Sequence, residues 1–341
     1  MATIQDVAKK ADVSTATVSR VLNGYAHVSP AVLAKVMAAI EALGYEPNLM
    51  AKSLRTLKTR RLIVTVPDIA NAFFANIIRG AEEAAYAAGY TVLLGDVGFD
   101  GSSEDAYASL LRRREADGMI FLGHTLPASL HAMIERLGEA APIVNGCEFV
   151  EDLKVSSVHI DNARAAREAV DYLYQLGHRR IGIITGDMRS PISRDRLQGA
   201  RDSAAAHGCG GDLHVVHGDY SIQSGADLTA QWIASGSIPT ALFCFSDDMA
   251  FGALHALRQA RLECPRDISV IGFDDIRLSR FGTPSLTTVR QPMREIGRKT
   301  VELLIAIMDG SAAGRVNLTL PHELVVREST AVPGFLAAAN G

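Results

Sequence analysis

From Arg61 onward, apolar runs of five to seven residues alternate with longer amphipathic stretches, and no other feature narrows the fold as much. The first series of runs is LIVTVPD (62–68), TVLLGD (91–96), GMIFLG (118–123), PIVNG (142–146) and VSSVHID (155–161). A second series follows with RIGIITG (180–186), LHVVHG (213–218), TALFCFS (240–246) and SVIGFDD (269–275). Helical patterns separate most of them, as at Phe74–Ala88, Ala163–Leu176, Ser193–His207 and Asp248–Arg261. Strands that alternate with helices predict parallel sheets, because a parallel partner is reached only through a crossover. Two series with no long linker predict two such lobes. The loops at the strand C-terminal ends then face a shared crevice, where open α/β sheets bind ligands.

The first sixty residues have a different texture and a different charge. Residues 1–61 hold nine Lys/Arg against four Asp/Glu, a net of +5, whereas the remaining residues hold 25 against 34, a net of −9. The overall charge of −4 for 341 residues therefore conceals a small basic piece joined to a larger acidic one. A hydrophobic share of 48% with 21% charged residues excludes wholesale disorder. No apolar run approaches the roughly 18–20 residues of a membrane span. The start, MATIQDVAKKADVS, is too polar for a signal peptide. Cys147, Cys209, Cys244 and Cys264 are scattered, so structural disulfides are not expected and a reducing cytoplasm fits.

Thr3 and Asp6 have the spacing of a capping box opening a helix to Ala11. Asp12-Val13 makes a turn, Ser14 can cap a second helix (Thr15–Leu22), and Val13 and Val18 are placed as a hydrophobic staple. Ser29-Pro30 starts a third helix, with Val32/Leu33, Val36, Ile40 and Leu43 on one face and Gly44 as its stop. Two short helices joined by a tight turn and braced by a third make a helix-turn-helix unit. In the second helix Thr15, Ala16, Ser19 and Arg20 face outward. Small side chains allow close approach to base edges, and Arg20 can reach a guanine or a phosphate. A three-helix protein-binding module is the bland alternative.

The stretch TIQDVAKKADVSTATVSRVLNGYAHVSP…KVMAAIEALGYEPNLMAKSL resembles, without gaps, the DNA-binding segment of the lactose/galactose repressor (LacI/GalR) family. The resemblance continues through FFANIIRGAE, ADGMI, VHIDN, GHRRIGIITG, RLQG, FSDDMAFGAL, ISVIGFDD and PSLTTVRQP, to about Thr330. STATVSRV, VPDI, VLLGD, VHIDN and YLY are nearest to the cytidine (nucleoside) repressor subfamily.

Several expectations follow from the resemblance. It implies an N-terminal all-α helix-turn-helix domain (1–46), a hinge helix or linker (47–60), a two-lobed periplasmic-binding-protein-like core of parallel sheets (61–330) and a tail (331–341). The N-lobe would comprise about 61–161 and 292–320, and the C-lobe about 162–290 and 321–330. Thr15, Ala16, Thr17, Ser19, Arg20 and Asn23 would contact the major groove of a pseudo-palindromic operator. The segment PNLMAKSLRTL, too short to be a stable isolated helix, would order in the minor groove. Leu54 would be its wedge and Arg55 a neighbouring contact; a plain basic linker would supply only salt-sensitive attraction.

Carried over to matched positions, Arg196 and Asp274 would bracket the hydroxyls of a small sugar or nucleoside effector. A carboxylate accepts from two neighbouring hydroxyls while a guanidinium donates to their oxygens. Phe74 and Tyr220 could stack on a sugar or base face. Ser246, Asp247 and Gln291 are secondary candidates, and Glu148 stands where relatives often place Asn or Asp. The bland alternatives are a core phenylalanine and an Arg196–Asp274 ion pair.

Other signals are weak. His207, Cys209, His214 and His217 match no compact zinc site. Gly95, Gly98 and Gly101 miss a dinucleotide fingerprint. The adjacent pairs Asp247-Asp248 and Asp274-Asp275 diverge too much for acid/base catalysis. No cofactor or metal is called for. The reading is a cytoplasmic, nucleoid-associated repressor acting as a homodimer; AVPGFLAAANG lacks the heptads of a tetramerising coiled coil. A solute-binding protein of the same core, or a sugar-processing α/β enzyme, is the alternative.

Overall fold

Three short helices near the N-terminus are each set by local side-chain chemistry. In α1 (Ile4–Ala11) the Asp6 amide donates to Thr3 Oγ1 at 3.3 Å and the Thr3 amide donates to the Asp6 carboxylate at 2.8 Å, a complete capping box. Asp12 turns the chain in left-handed backbone at φ 53°. Ser14 Oγ then accepts from the Thr17 amide at 3.1 Å at the start of α2 (Thr15–Leu22). Pro30 opens α3 (Pro30–Leu43), and Gly44 ends it at φ 54°.

Val7, Ala8, Ala11, Val18, Val21, Val36 and Ala39 form the core of this unit. Leu33 does not belong to it, contrary to expectation. It is 45% exposed, at the edge of a stripe formed by Val32, Val36, Ala39, Ile40 and Leu43. This computed structural model describes residues 2–22, 28–45, 58–98, 103–150, 153–209, 213–312 and 314–334. Asn23, Leu54, Arg55 and most of the expected hinge segment lie outside the described residues.

The second unit starts at Arg60. One sheet contains β1 (Arg61–Val66), β2 (Thr91–Asp96), β3 (Gly118–Phe121), β4 (Ile143–Gly146), β5 (Ser156–Ile160) and β11 (Asn317–Leu320). Their order is β11-β5-β4-β3-β1-β2, and every pairing is parallel. The other contains β6 (Ile181–Thr185), β7 (Leu213–His217), β8 (Ala241–Cys244), β9 (Ser269–Asp274), β10 (Thr287–Arg290) and β12 (Glu323–Val325). Its order is β12-β10-β9-β8-β6-β7, antiparallel only at β10–β12. Strands β3, β4, β6, β8 and β9 are buried along their whole length, so they read as unbroken apolar runs rather than alternating ones. The chain passes between the lobes three times, after Ile160, Arg290 and Leu320.

Helices α4 (Ala72–Ala87), α5 (Glu104–Arg112), α6 (Ala128–Leu137), α7 (Asn162–Gln175), α8 (Pro191–Ala206), α9 (Ile222–Ala234), α10 (Asp247–Gln259) and α11 (Met293–Met308) cover the sheets. Three helix pairs approach so closely that only glycine fits. A Cβ on Gly80 of α4 would lie 2.0 Å from the Arg294 carbonyl oxygen of α11. One on Gly199 of α8 would lie 1.9 Å from the Ala163 oxygen of α7, and one on Gly225 of α9 2.1 Å from the Met249 oxygen of α10. No described helix is long and apolar enough to cross a membrane.

Candidate functional site

Parallel strands in each lobe carry their C-terminal loops toward one cavity of about 60 Å³. Pro67 and Phe74 reach it from beyond β1, His124 and Thr125 from beyond β3, and Glu148 from beyond β4. The other lobe contributes Asp187 and Ser190 beyond β6, Tyr220 beyond β7, Ser246 beyond β8 and Asp274 at the end of β9. Of the effector residues expected from the sequence, Phe74, Glu148, Arg196, Tyr220, Ser246 and Asp274 line this cavity. Pockets for drug-sized ligands span roughly 300 Å³ or more, and this cavity is narrower than that.

Arg196 is the largest fully buried side chain of the chain's described residues, 2% exposed on α8. Its Nε donates to Asn162 Oδ1 at 2.9 Å and one Nη to the Phe245 carbonyl at 2.5 Å. Phe273 supports the guanidinium from one face. Asp274 takes its hydrogen bond from elsewhere, from Gln291 Nε2 at 2.8 Å. Arg196 and Asp274 are therefore not a closed ion pair; each is held from behind and faces the cavity. Burial pushes the Asp274 carboxyl well above the usual carboxylate range, against the opposing charge of Arg196. A pair of ligand hydroxyls would supply donors to that carboxyl in place of water.

Tyr220 stands on strained backbone at φ 71°. Its ring lies flat on Gly186, where a Cβ would come within 2.0 Å, and its hydroxyl is 2.6 Å from Ser193 Oγ. Burial pushes its phenol up to about 12. Phe74 is both wall and core: it packs edge-on against Phe73 at 5.1 Å and still borders the cavity.

Glu148 is 6% exposed; Oε1 accepts from Ser190 Oγ at 3.3 Å and lies 3.8 Å from His124 Nδ1. The neighbouring Glu148 carboxylate raises the His124 imidazole above its ordinary pKa. Glu148 Oε2 has no hydrogen-bond partner among the described residues. Ser246 is spent partly as the N-cap of α10, accepting from the Met249 amide at 3.2 Å.

Two expectations need correction. Gln291 does not line the cavity; it sits behind Asp274 and orients it. Asp247 is likewise behind the wall, fully buried. The sequence reading also missed His124, Asn162 and Ser193. Asn162 and Ser193 hydrogen-bond Arg196 and Tyr220; Asn162 ends the VHIDN stretch, but nothing in that stretch names Arg196 as its partner. Among the described residues no three His, Cys, Asp or Glu side chains are grouped to hold a metal ion.

On the helical unit, Thr15, Ala16 and Arg20 are exposed, while Thr17 and Ser19 are half-buried. Thr17 Oγ1 lies 2.9 Å from Ser14 Oγ, so its hydroxyl is tied to the helix start.

Residues 3–48 match the profile of bacterial regulatory proteins of the lacI family, and residues 170–330 match a periplasmic binding protein-like domain. The HTH-type transcriptional repressor CytR of Escherichia coli (strain K12) is 41% identical over 330 residues, covering 96% of both chains. The chain belongs to the lacI family of bacterial regulatory proteins. Catabolite control protein A of Priestia megaterium, another relative, is 34% identical over 331 residues, 96% of this chain and 99% of its own. The lac repressor dimer, solved bound to operator and the anti-inducer ONPF, superposes with a TM-score of 0.86 at 30% identity over 97% of this chain and 99% of that one.

A lacI-family chain of this coverage is a ligand-responsive DNA-binding transcriptional regulator rather than an enzyme. The basic helix-turn-helix unit also sets aside the solute-binding alternative.

Proposed function

We propose that this lacI-family protein represses transcription as a homodimer on a pseudo-palindromic operator, and that a nucleoside or sugar bearing neighbouring hydroxyls controls it. The observation that carries this reading is that Arg196 and Asp274 both line the cavity, each braced from behind by hydrogen bonds to other groups. Similarity to the CytR repressor favours the nucleoside. Phe74 and Tyr220 would stack on the flat part of the ligand, Glu148 would accept a donor at the far end, and Ser246 would contribute a hydroxyl.

On the DNA side, Thr15, Ala16, Thr17, Ser19, Arg20 and Asn23 would read the major groove. Leu54 and Arg55 would enter the minor groove in the hinge segment of residues 47–60. Residues 1–46 would be the reading head, 61–330 the sensing and dimerising core, and 331–341 a tail. The protein would act in the cytoplasm, on the nucleoid. Effector binding would alter the angle between lobes and thereby the spacing of the paired hinge segments; linkage then requires operator to change effector affinity by the same factor.

A thermal-shift screen of nucleosides, purines and pentoses tests the reading, since a ligand of the folded state raises its stability. Stabilisation by a ribonucleoside, with release of operator or tightening on it, supports the assignment. A screen in which no nucleoside or pentose shifts the melting point overturns it.

A further inference from the structure

Asp247 begins α10, one residue after Ser246, and its carboxylate is a hub. One oxygen accepts from the Ile276 amide at 2.8 Å and from Ser279 Oγ at 2.5 Å; the other accepts from Thr288 Oγ1 at 2.5 Å. Ile276 and Ser279 belong to the turn that leaves β9 immediately after Asp274. That turn opens with two successive non-glycine residues in positive-φ backbone, Asp274 at 120° and Asp275 at 58°. Such backbone persists only where its surroundings over-determine it.

The surroundings do so from two sides. Inside, Asp247 reaches the turn past Gly272, where a Cβ would lie 2.2 Å from its Oδ1. Outside, Arg290 Nε and Arg327 Nη2 hold the Asp275 carboxylate at 2.7 and 2.5 Å. Asp247 itself does not border the cavity.

We propose that Asp247 is a positioning residue for effector specificity: it locks the strained turn that aims Asp274 into the cleft, and so sets the preference for a vicinal diol over its deoxy analogue. The specificity claim rests on the proposed diol reading; the lock does not. An effector hydroxyl meets Asp274 in a fixed orientation only while the turn is fixed. Without the lock the strained pair relaxes, and the carboxylate no longer distinguishes one hydroxyl from two.

The test compares full-length wild type, Asp247→Asn, Asp274→Asn and the double variant by titration calorimetry. The probes are adenosine, cytidine, uridine and ribose with their 2′-deoxy or 2-deoxy counterparts. Wild type should favour the ribo form at least tenfold, and Asp247→Asn should bring the two forms within about twofold. On the Asp274→Asn background Asp247→Asn should add nothing, because both act through one carboxylate. A retained ribo preference in Asp247→Asn, or effects that multiply in the double variant, overturns the proposal.

If wild type binds none of the probes, the diol reading falls and the specificity claim falls with it. The lock is then judged by hydrogen exchange. Amides 275–280 should exchange at least tenfold faster in Asp247→Asn while those of 241–244 keep their protection, and unchanged exchange overturns it. Should Asp247→Asn fail to fold, Ser279→Ala and Thr288→Val each remove one of the three bonds. Each should give a partial loss of the same preference; no loss in either overturns the proposal.

Discussion

The guanidinium carbon of Arg196 lies 3.5 Å from the centre of the Phe273 ring. With one face on an aromatic ring and two donors already committed to Asn162 and Phe245, the group has a single orientation left. A lysine keeps the charge and loses both the stack and the fork. Arg196→Lys should therefore weaken effector binding about 10- to 100-fold, ~1.4–2.7 kcal/mol. Operator affinity without effector should stay within about threefold. Calorimetry and fluorescence anisotropy measure the two, and an unchanged effector response would clear Arg196 of its role.

Removing residues 1–60 should abolish operator binding and leave effector affinity unaltered, because the helical unit has its own core of Val7, Val18, Val21 and Val36. Loss of both activities would contradict modularity. In the intact chain, Leu54→Ala should weaken specific operator binding far more than binding to random DNA, since a wedge acts only where a step is unstacked. Equal losses would leave the hinge segment a basic linker.

Gly199→Ala places a methyl group against the Ala163 carbonyl and should destabilise the protein by ~1–3 kcal/mol or more. Gly236→Ala meets nothing within 4 Å but sits at φ 68°, so its cost should be only about 1 kcal/mol. Urea denaturation ranks the two. A Gly236 variant as damaging as the Gly199 variant would argue against the close α7–α8 crossing.

His178 is buried beside the Ala331 carbonyl, 3.0 Å from Nε2, and desolvation lowers its pKa below the ordinary value of 6.5. Above pH 6.5 the imidazole is neutral folded or unfolded, and its contribution to stability is fully present. As pH falls below that value the unfolded chain takes up a proton that the folded chain resists. Stability should then decline, by at most about 1.4 kcal/mol per pH unit from this group. His178→Gln should flatten the profile between wild-type pH 6.5 and the acid limb; an identical slope in the variant would place the effect elsewhere.

The sequence reveals most of the scaffold, because β3, β4, β6, β8 and β9 are buried along their whole length and announce themselves as apolar runs. β10, β11 and β12 escape this signal. Asn317–Leu320 and Glu323–Val325 are short and partly exposed, and only the family resemblance hints that the chain returns for them. The cavity residues Arg196, in RLQG, and Asp274, in GFDD, are legible only through the family resemblance, since their residue types alone fit an ion pair equally well. His124 follows GMIFLG as an ordinary loop histidine, and only the fold brings it beside Glu148. Gln291 and Asp247 show the converse: their motif proximity is real, yet each works one layer behind the cavity wall.

The chain changes lobe three times, and each passage is brief: one residue separates β5 from α7, and two separate β10 from α11 and β11 from β12. A single tether would leave two bodies free to twist, slide and bend. Three short tethers, with β11 next to β5 on one sheet and β12 next to β10 on the other, restrict sliding and twisting of the lobes far more than one would. Binding energy released in the cleft would then act mainly on the angle between the lobes rather than on their sliding or twisting.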